Sequence, residues 1–442
     1  GLRNLASQID TTGVQNAYFV FNTLSWERSG PVFLDPPEGR GDYLVVDQEG
    51  NKCLTQYVKD ETGKEKILFV AKNVPPLGYK LFKLVRATSP SRGSLKVKSD
   101  LLENSAFRVK LDMHSGDVKE IISKEMGWSV LSAPGNRIEV LEDLGDSEGR
   151  LRITGRKFPL GSPIEIRVLE KGPVRGKIEV RCKLKGELTT FVRQISIFEG
   201  VPWIDFSTRI EFTGQEKFIK AAFPLNLHCK ESVWELPYGV VKRENTGKER
   251  PALKWVDLSG EGKGVSLFNR SRYGYDVKDN VVRLSLLRSP THPAHNDDSG
   301  IHTVNYALFP HKGDWAQAKV YKRAYEYNFP LITCPVETHP GLLPLKLSFF
   351  KVEPGNLVIT EIKRAEKKQD LVLRIVEMEG KATKGKLTSY LPFSKAYEAD
   401  LLERRKNKLF SEGKEVEFLS RAFEIKTIML EDWGRGSSRG MR

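Results

Sequence analysis

Cysteine and methionine are the scarcest residues of this sequence, with four and five copies among 442 residues. The cysteines lie far apart and form no CxxC pair, so we interpret them as reduced structural thiols and predict a cytoplasmic address. Because Lys, Arg and Glu dominate the charged residues, the composition favours a thermophilic source. The cysteines are Cys53, Cys182, Cys229 and Cys334.

Long apolar runs and basic runs are also absent. No stretch is apolar and long enough to cross a membrane, so no membrane partner is predicted. The net charge is +14, but Lys and Arg are interspersed with Glu along the whole length, and no basic run is interleaved with aromatic residues. We therefore interpret the charge as a solvated surface and predict no nucleic-acid partner.

Two catalytic signatures are missing. The segment Gly260–Gly264 reads Gly-Glu-Gly-Lys-Gly, but it lacks the Walker spacing and the following Ser or Thr, so we interpret it as a turn. The GxSxG elbow of a serine nucleophile is absent, and the strand-rich pattern offers no strand–helix alternation to hold one. These absences exclude a phosphate-binding loop and an elbow serine hydrolase.

Strand patterns occupy most of the chain, and many closely spaced strands between residues 95 and 310 predict a large double-sheet sandwich. Helical spacing occurs only in the first ten residues and over Asp314–Tyr325, where Asp314 is a candidate cap. Just before it, the motif Pro-His-Lys-Gly-Asp predicts a turn at His311. Since the chain begins at Gly1 rather than Met, we expect a lost or processed front part. The predicted segments are 1–12 (end of a helical part), 13–90 (small β-domain), 95–330 (large β-supersandwich), 335–432 (terminal β-sandwich) and 433–442 (disordered tail).

The densest polar segment is the predicted loop Arg288–His302, between predicted strands Val281–Leu287 and Thr303–Phe309. Its imidazoles and carboxylates suit a zinc ion, although HxxH on a loop is a weak signal. Two alternatives stay open: a polar loop bonded to backbone and water, or the wall of a groove that faces a sugar or a partner. The candidate metal ligands are His292, His295, Asp297, Asp298 and His302.

A glycosidase needs two carboxylates on either side of the bond that it cleaves. With 57 acidic residues in the chain, the number of candidates decides nothing. Asp297 and Asp298 are neighbours, and on extended backbone they point in opposite directions, so we predict that they form no catalytic pair.

An ordered series of short motifs runs through nearly the whole chain. In chain order they are Phe21–Arg28, Asn104–Val109, Gly135–Arg137 leading to Glu142 and Asp143, Pro237–Gly239, Lys254–Asp257, Tyr273–Asp276, Leu286–Pro290, Asp298–His302, Tyr306–Trp315, Asn328–Pro330, Val352–Leu357 and Phe423–Thr427. Each motif alone is weak, but the ordered set resembles the C-terminal part of glycoside hydrolase family 38 α-mannosidases of the bacterial and archaeal type.

This resemblance implies a mostly β fold with a small β-domain, a large supersandwich similar to galactose mutarotase, and a terminal β-sandwich. It also implies retaining hydrolysis of α-mannosides with one divalent metal, usually zinc. In the family, the nucleophile, the acid/base and the metal ligands lie in an upstream α/β domain that is followed by a helix bundle. None of them has a counterpart here, so we expect this chain to bind no metal itself, and we assign it no catalytic residue.

The same resemblance implies substrate-binding residues. Arg288 occupies the position of an arginine beside the bound sugar, and Asp298 and His302 belong to the same loop. Asn136 and Arg137 stand where Golgi and lysosomal members have an Ala-Tyr pair, so the substrate-contacting Tyr is missing here. Asp143 is a further candidate from the same set of motifs. The alternative for Arg288 is a structural role in which it bonds the carbonyls of a turn.

We predict that this chain is the β-rich portion of an α-mannosidase and completes the sugar site of an N-terminal catalytic portion. Its ligand would be an α-mannoside or an oligosaccharide, and a homo-oligomer stays open. The alternative is a standalone carbohydrate-binding β-sandwich without catalysis. A third hypothesis is a mutarotase-like epimerase that uses His295 or His302 as acid or base. An apolar docking face around Gly1–Asp35 and residues 288–302 would favour the first, and an exposed aromatic platform the second.

Overall fold

Strands make up 58% of the chain and helices 3%, which confirms the predicted mostly-β class with several sheets and sandwich-type domains. The contacts between Cα atoms divide the chain into two units, one formed by residues 1–90 with 329–442 and the other by 91–328. The finer domain bounds stay predictions. The computed structural model describes residues 1–37, 42–60, 62–87, 93–292, 298–366 and 369–434. The predicted tail beyond residue 434 and the candidates His295 and Asp297 lie outside these ranges.

The first unit begins with the short helix α1 (Leu2–Ala6), in which Ala6 is buried. Its N-terminal strands are β1 (Ala17–Asn22), β2 (Arg28–Leu34), β3 (Tyr43–Asp47), β4 (Lys52–Cys53), β5 (Thr55–Lys59), β6 (Glu65–Val74) and β7 (Gly78–Arg86). Strands β1, β7, β3 and β4 are neighbours in one sheet, and β2, β6 and β5 form a three-stranded sheet. Apolar side chains of both sheets meet in a common core, as the alternating burial of these strands requires.

The second unit contains twenty strands and one helix among its described residues. They are β8 (Lys96–Lys98), β9 (Leu101–Glu103), β10 (Phe107–Leu111), β11 (Val118–Ser123), β12 (Trp128–Ser129), β13 (Arg137–Asp143), β14 (Ile153–Phe158), β15 (Glu165–Lys171), β16 (Arg175–Lys183), β17 (Thr190–Phe198), β18 (Ile204–Phe212), β19 (Lys217–Pro224), β20 (Glu231–Leu236), β21 (Gly239–Glu244), β22 (Arg250–Pro251), β23 (Trp255–Gly260), β24 (Lys263–Asn269), β25 (Gly274–Lys278), β26 (Val281–Ser289), β27 (Gly300–Lys312) and α2 (Val320–Asn328). In the described ranges, no helix is long and apolar enough to cross a membrane.

Two large antiparallel sheets of the second unit face each other. The nine-stranded sheet has the order β15-β16-β17-β18-β27-β24-β23-β20-β21, and the six-stranded sheet has the order β14-β13-β19-β26-β25-β22. Phe206 and Tyr306 stack on the nine-stranded sheet with ring centroids 5.5 Å apart, and Phe223 of the six-stranded sheet packs against Phe206 at 5.2 Å. The side chains of both sheets form one continuous apolar core, as expected of a sandwich.

Three local predictions are wrong. Pairing with β19 extends β26 to Ser289, and pairing with β18 extends β27 back to Gly300, so Arg288 and His302 lie on strands rather than in the predicted loop. The helix predicted from Asp314 is regular only from Val320, because Lys319 has a φ of +54° that interrupts it. The predicted cap is present, since Oδ1 of Asp314 accepts hydrogen bonds from the N–H groups of Ala316 and Gln317. His311, which the motif Pro-His-Lys-Gly-Asp suggests as a turn residue, is buried on β27.

The C-terminal strands return to the first unit. They are β28 (Ile332–Val336), β29 (Lys346–Ser348), β30 (Phe350–Glu353), β31 (Leu357–Arg364), β32 (Leu371–Glu377), β33 (Thr383–Ser389), β34 (Lys395–Ala399), β35 (Arg405–Lys408), β36 (Ser411–Glu412), β37 (Glu415–Ser420) and β38 (Ile425–Glu431). Strand β28 pairs with β1, and β29 pairs with β7, so both complete the first sheet of this unit. The others form a four-stranded and a five-stranded sheet around a separate apolar core.

Candidate functional site

Arg288 holds the turn that connects β13 to β14. Its Nε donates a hydrogen bond to Oδ2 of Asp143 at 2.6 Å. Its Nη1 and Nη2 donate to the carbonyl oxygens of Asp146 and Arg150 at 2.7 and 2.8 Å. Arg288 lies on β26 and Asp143 at the end of β13, and both strands pair with β19. The guanidinium therefore fixes residues 144–152 to the six-stranded sheet by three directional bonds.

Asp143 is a buried carboxylate, with 1% of its side chain exposed. Its Oδ1 accepts hydrogen bonds from the N–H groups of Gly145 and Arg152, each at 2.9 Å. Burial raises the pKa of Asp143, but the bonds from Arg288 and from these two N–H groups outweigh burial and hold the pKa below its ordinary value of 3.8. At neutral pH, Asp143 is thus a charged anchor for Arg288 and has no proton to donate.

Gly145 has no side chain, and this leaves room for the hydrogen bond between Arg288 and the carbonyl oxygen of Arg150. A Cβ atom at this position would lie 2.0 Å from the carbonyl oxygen of Arg150 and 2.7 Å from Nη2 of Arg288. Both atoms belong to the hydrogen bond that closes the turn. A side chain at position 145 would therefore separate the guanidinium from its acceptors.

A cavity of about 660 Å³ opens beside Arg288, within the second unit. Asp298 and His302 line it together with Arg288, and Nε2 of His302 donates to the carbonyl oxygen of Asp298 at 2.8 Å. Three of the residues predicted from sequence are thus brought to one cavity. The rest of the lining includes Leu151, Phe218, Glu249, Arg272, Tyr273 and Ser285.

Asn136 and Arg137 lie elsewhere. Asn136 is 1% exposed, and its Oδ1 accepts a hydrogen bond from the hydroxyl of Tyr306 at 2.6 Å inside the sandwich. Arg137 is 47% exposed at the first position of β13, where it pairs with Glu139 at 2.6 Å. Asp143 follows Arg137 by six positions of extended strand, which corresponds to about 20 Å. The structure places neither side chain in the Arg288 cavity.

The metal interpretation finds no support in the described residues. Among them, no three His, Cys, Asp or Glu side chains are grouped as metal ligands would be. His292 forms a backbone bridge with Asp146, and His302 bonds a carbonyl, while His295 and Asp297 lie outside the described ranges. The residues described here do not fit a zinc site, so no chemical step is assigned to a metal held by them.

Sequence reasoning missed several polar residues of the cavity, among them Arg272, Tyr273, Ser285 and Glu249. Tyr273 is the first residue of a motif that carries the family resemblance, and Arg272 directly precedes it. This motif was the signal that could have pointed to both residues. Ser285 reaches the cavity because β26 pairs with β19 and β25. Glu249 lies in the charged segment Lys248–Arg250, and such a segment gives no sign that one of its carboxylates faces a cavity.

Comparison with known proteins identifies the sandwiches. Residues 102–296 match the model of the glycosyl hydrolases family 38 C-terminal domain, and residues 356–428 match that of the family 38 C-terminal beta sandwich domain. This chain carries the C-terminal domains of glycosyl hydrolase family 38. The first match contains Arg288, Asp143 and the turn between them, while Asp298 and His302 of the cavity lie just beyond its last residue.

Named relatives agree with this assignment. Alpha-mannosidase 2C1 of Mus musculus is 30% identical over 93% of this chain, and alpha-mannosidase G of Dictyostelium discoideum is 27% identical over 74%. A crystal structure of a family 38 protein from Enterococcus faecalis shares the fold over 97% of the chain, with a TM-score of 0.81 and 18% identity. The chain spans 39% and 32% of the two relatives and 60% of the crystallised protein.

Proposed function

We propose that this chain is the β-rich portion of an α-mannosidase, a retaining hydrolase, and that the Arg288 cavity completes its sugar site. The observation that carries the proposal is the Arg288–Asp143 pair, which holds a guanidinium at a cavity also lined by Asp298 and His302. The names of the relatives support the choice of an α-mannoside or a mannose-containing oligosaccharide as the ligand.

Arg288, Asp298 and His302 would bind the sugar, and Asp143 would position Arg288. A guanidinium has five N–H groups, of which Arg288 uses three for acceptors within the described ranges. The other two would donate to sugar oxygens. Asn136 and Arg137 stay predictions, since neither lies in this cavity.

The catalytic groups would come from an N-terminal catalytic portion. A retaining glycosidase needs one carboxylate as nucleophile and one protonated carboxylic acid, about 5–5.5 Å apart. Asp143 cannot be the acid, because its pKa is lowered, and it is enclosed by Arg288 and two N–H groups. The nucleophile, the acid/base and the ligands of a zinc or similar divalent ion are therefore assigned to the partner portion.

Apolar side chains exposed on the turn beside the cavity support docking of that partner. Leu144, Leu151 and Ile153 are exposed although they are large and apolar, and they lie at the β13–β14 end that Arg288 fixes. Buried against another surface, such side chains would contribute to association. A cytoplasmic address and a homo-oligomer stay predictions alongside this partner.

A standalone carbohydrate-binding protein is the second candidate. Tyr273 favours it, because an aromatic ring that is 55% exposed at the cavity offers a platform for a sugar ring. The epimerase hypothesis gains no support from His302, because its Nε2 donates a hydrogen bond to a backbone carbonyl. The other histidine of that hypothesis, His295, lies outside the described residues.

Hydrolysis of an aryl α-mannoside with added zinc or cobalt tests the proposal. The chain is assayed alone and then mixed with the catalytic portion of a family 38 mannosidase. We expect activity only from the mixture, at a rate above that of the catalytic portion alone. Activity from this chain alone would place a catalytic pair within it, and no stimulation by it would favour the standalone binding protein.

A further inference from the structure

A continuous series of opposite charges crosses the outer face of the six-stranded sheet. Arg137 pairs with Glu139 at 2.6 Å, and Glu139 pairs with Arg283 at 2.8 Å. Arg283 then pairs with Asp276 at 3.0 Å, and Asp276 with Lys220 at 2.5 Å. Lys220 and Asp276 are buried, where an unpaired charge would be costly. Since each charge contacts an opposite one, the series fixes its members in place.

Glu249 ends this series at the Arg288 cavity. Nζ of Lys220 donates to Oε2 of Glu249, and the Ser285 hydroxyl donates to Oε1. Gly274 leaves the space for the carboxylate, because a Cβ atom there would lie 2.6 Å from Oε1 of Glu249 and 3.1 Å from Cβ of Ser285. Of the six charged residues in the series, Glu249 alone lines the cavity, and its side chain is 17% exposed.

The position of Glu249 resembles that of a preorganised hydrogen-bond acceptor. Each carboxylate oxygen can accept about two hydrogen bonds, and each oxygen of Glu249 accepts one from the protein. Arg272 and Arg288 also line the cavity, and their positive charges disfavour a cationic ligand. The carboxylates of Asp298 and Glu249 disfavour an anionic ligand. Neutral hydroxyl groups are the donors that fit these surroundings, and the exposed Tyr273 ring offers an apolar face for the C–H groups of a sugar.

We propose that Glu249 binds hydroxyl groups of the sugar in the Arg288 cavity, and that Lys220 is its positioning residue. The carboxylate accepts hydrogen bonds from one or two ring hydroxyls, and Lys220 and Ser285 hold it in the orientation that this requires. The assignment rests on the proposed function in that it uses the same cavity. It requires a sugar ligand but neither mannose specificity nor a catalytic partner.

The test combines a protein change with the removal of single ligand hydroxyls. Methyl α-mannoside and its 2-, 3-, 4- and 6-deoxy analogues are titrated against the full chain by ligand-observed NMR. We expect Glu249→Gln to weaken binding of methyl α-mannoside about tenfold, because an amide replaces a charged acceptor. At least one deoxy analogue should bind the wild-type chain about tenfold less tightly than methyl α-mannoside does. The same analogue should bind the wild-type chain and Glu249→Gln with equal affinity.

Two further variants separate positioning from folding. Lys220→Met should weaken binding, whereas Lys220→Arg, which keeps a donor for Glu249, should restore most of the affinity. Glu244→Gln is the matched control, since Glu244 is an exposed glutamate on β21 that does not line this cavity. It should bind methyl α-mannoside as the wild-type chain does.

The outcomes also distinguish this assignment from the proposed function. Suppose that the wild-type chain binds methyl α-mannoside, and that the loss of affinity from methyl α-mannoside to each deoxy analogue is the same for wild type and for Glu249→Gln. The role of Glu249 is then refuted, and the proposed function stands. If methyl α-glucoside or galactoside binds with the expected coupling and the mannoside does not, Glu249 keeps its role and the proposed mannoside ligand is wrong. If none of the three glycosides binds, the role of Glu249 is refuted, and the hydrolysis assay of the mixture decides the proposed function separately.

Discussion

Nε of Arg288 donates to Oδ2 of Asp143 at 2.6 Å, across the intervening strand β19. The other two bonds of the guanidinium hold the carbonyls of residues 146 and 150, so one side chain joins the sheet to the turn. The role of Arg288 in holding a turn is therefore compatible with its proposed role at a sugar site. Arg288 lines the cavity and also holds the turn beside it.

Arg288→Met should destabilise the second unit. Removal of one partner of a buried ion pair costs roughly 3–5 kcal/mol. Arg288 is 20% exposed, so solvent screens part of this, and we expect a loss of about 2 kcal/mol. Urea unfolding at pH 7 measures it. Arg108→Met is the control, since Arg108 is 45% exposed in its pair with Glu103 and should contribute less than about 1 kcal/mol. An equal loss in both variants would contradict the role given to Arg288.

Asp143 should make the stability depend on pH. Its pKa is lower in the folded than in the unfolded chain, so its contribution is fully present above the unfolded value near 3.8 and is lost as the pH falls through the folded pKa. Asp143→Asn should therefore be less stable than wild type at pH 7. The difference should stay constant down to about pH 5 and close at lower pH. Urea unfolding at a series of pH values measures it, and a difference that widens towards acid would refute the assignment.

Gly145→Ala should disrupt the turn that Arg288 holds. The added Cβ atom would meet the Arg150 carbonyl at 2.0 Å, and overpacking of this kind costs about 1–3 kcal/mol. Gly239→Ala is the matched control, because nothing lies within 4 Å of its Cβ position. It should change the free energy of unfolding by less than about 0.5 kcal/mol. Equal effects of the two substitutions would show that the space at Gly145 is not needed.

The strands were readable from sequence because their patterns are strong, as in Val281–Leu287, which lies inside β26. The ends of the strands were not readable from sequence, because pairing with a neighbouring strand extends them beyond the predicted range. Pairing with β19 extends β26 to Ser289, and pairing with β18 extends β27 back to Gly300. The start of the helix was predicted wrongly for a different reason. The apolar spacing after Asp314 is helical, but the backbone turns at Lys319, a position that no spacing rule marks.

The candidate site was predictable only through family motifs. They pointed to Arg288, Asp143, Asp298 and His302, three of which line one cavity. They also pointed to Asn136, whose side chain lies inside the sandwich. The motif gave no warning of this, because neighbouring residues of a strand face opposite sides and the sequence alone does not tell which side each one takes. Glu249 could not be found, since its position depends on Lys220 and Ser285, which are distant in sequence.

Tyr306→Phe should destabilise the sandwich without changing the cavity. The Tyr306 hydroxyl donates to Oδ1 of the buried Asn136 at 2.6 Å and contacts the hydroxyl of Thr208 at 2.8 Å. Loss of the donor leaves a buried acceptor unsatisfied, which costs about 1–3 kcal/mol. The exposed Tyr273 provides the control, and Tyr273→Phe should leave the free energy of unfolding within about 0.5 kcal/mol of wild type. Urea unfolding of both variants checks this.

The central claim is that the Arg288 cavity is part of the sugar site of an α-mannosidase. The most direct measurement is kcat/KM for an aryl α-mannoside in the mixture of chain and catalytic portion, with wild type compared with Arg288→Lys. Lysine keeps the positive charge but loses the planar fork, so we expect a fall of about tenfold or more, at a temperature where both chains are folded. An unchanged kcat/KM in a mixture that the chain does stimulate would contradict the claim and leave Arg288 as the holder of a turn.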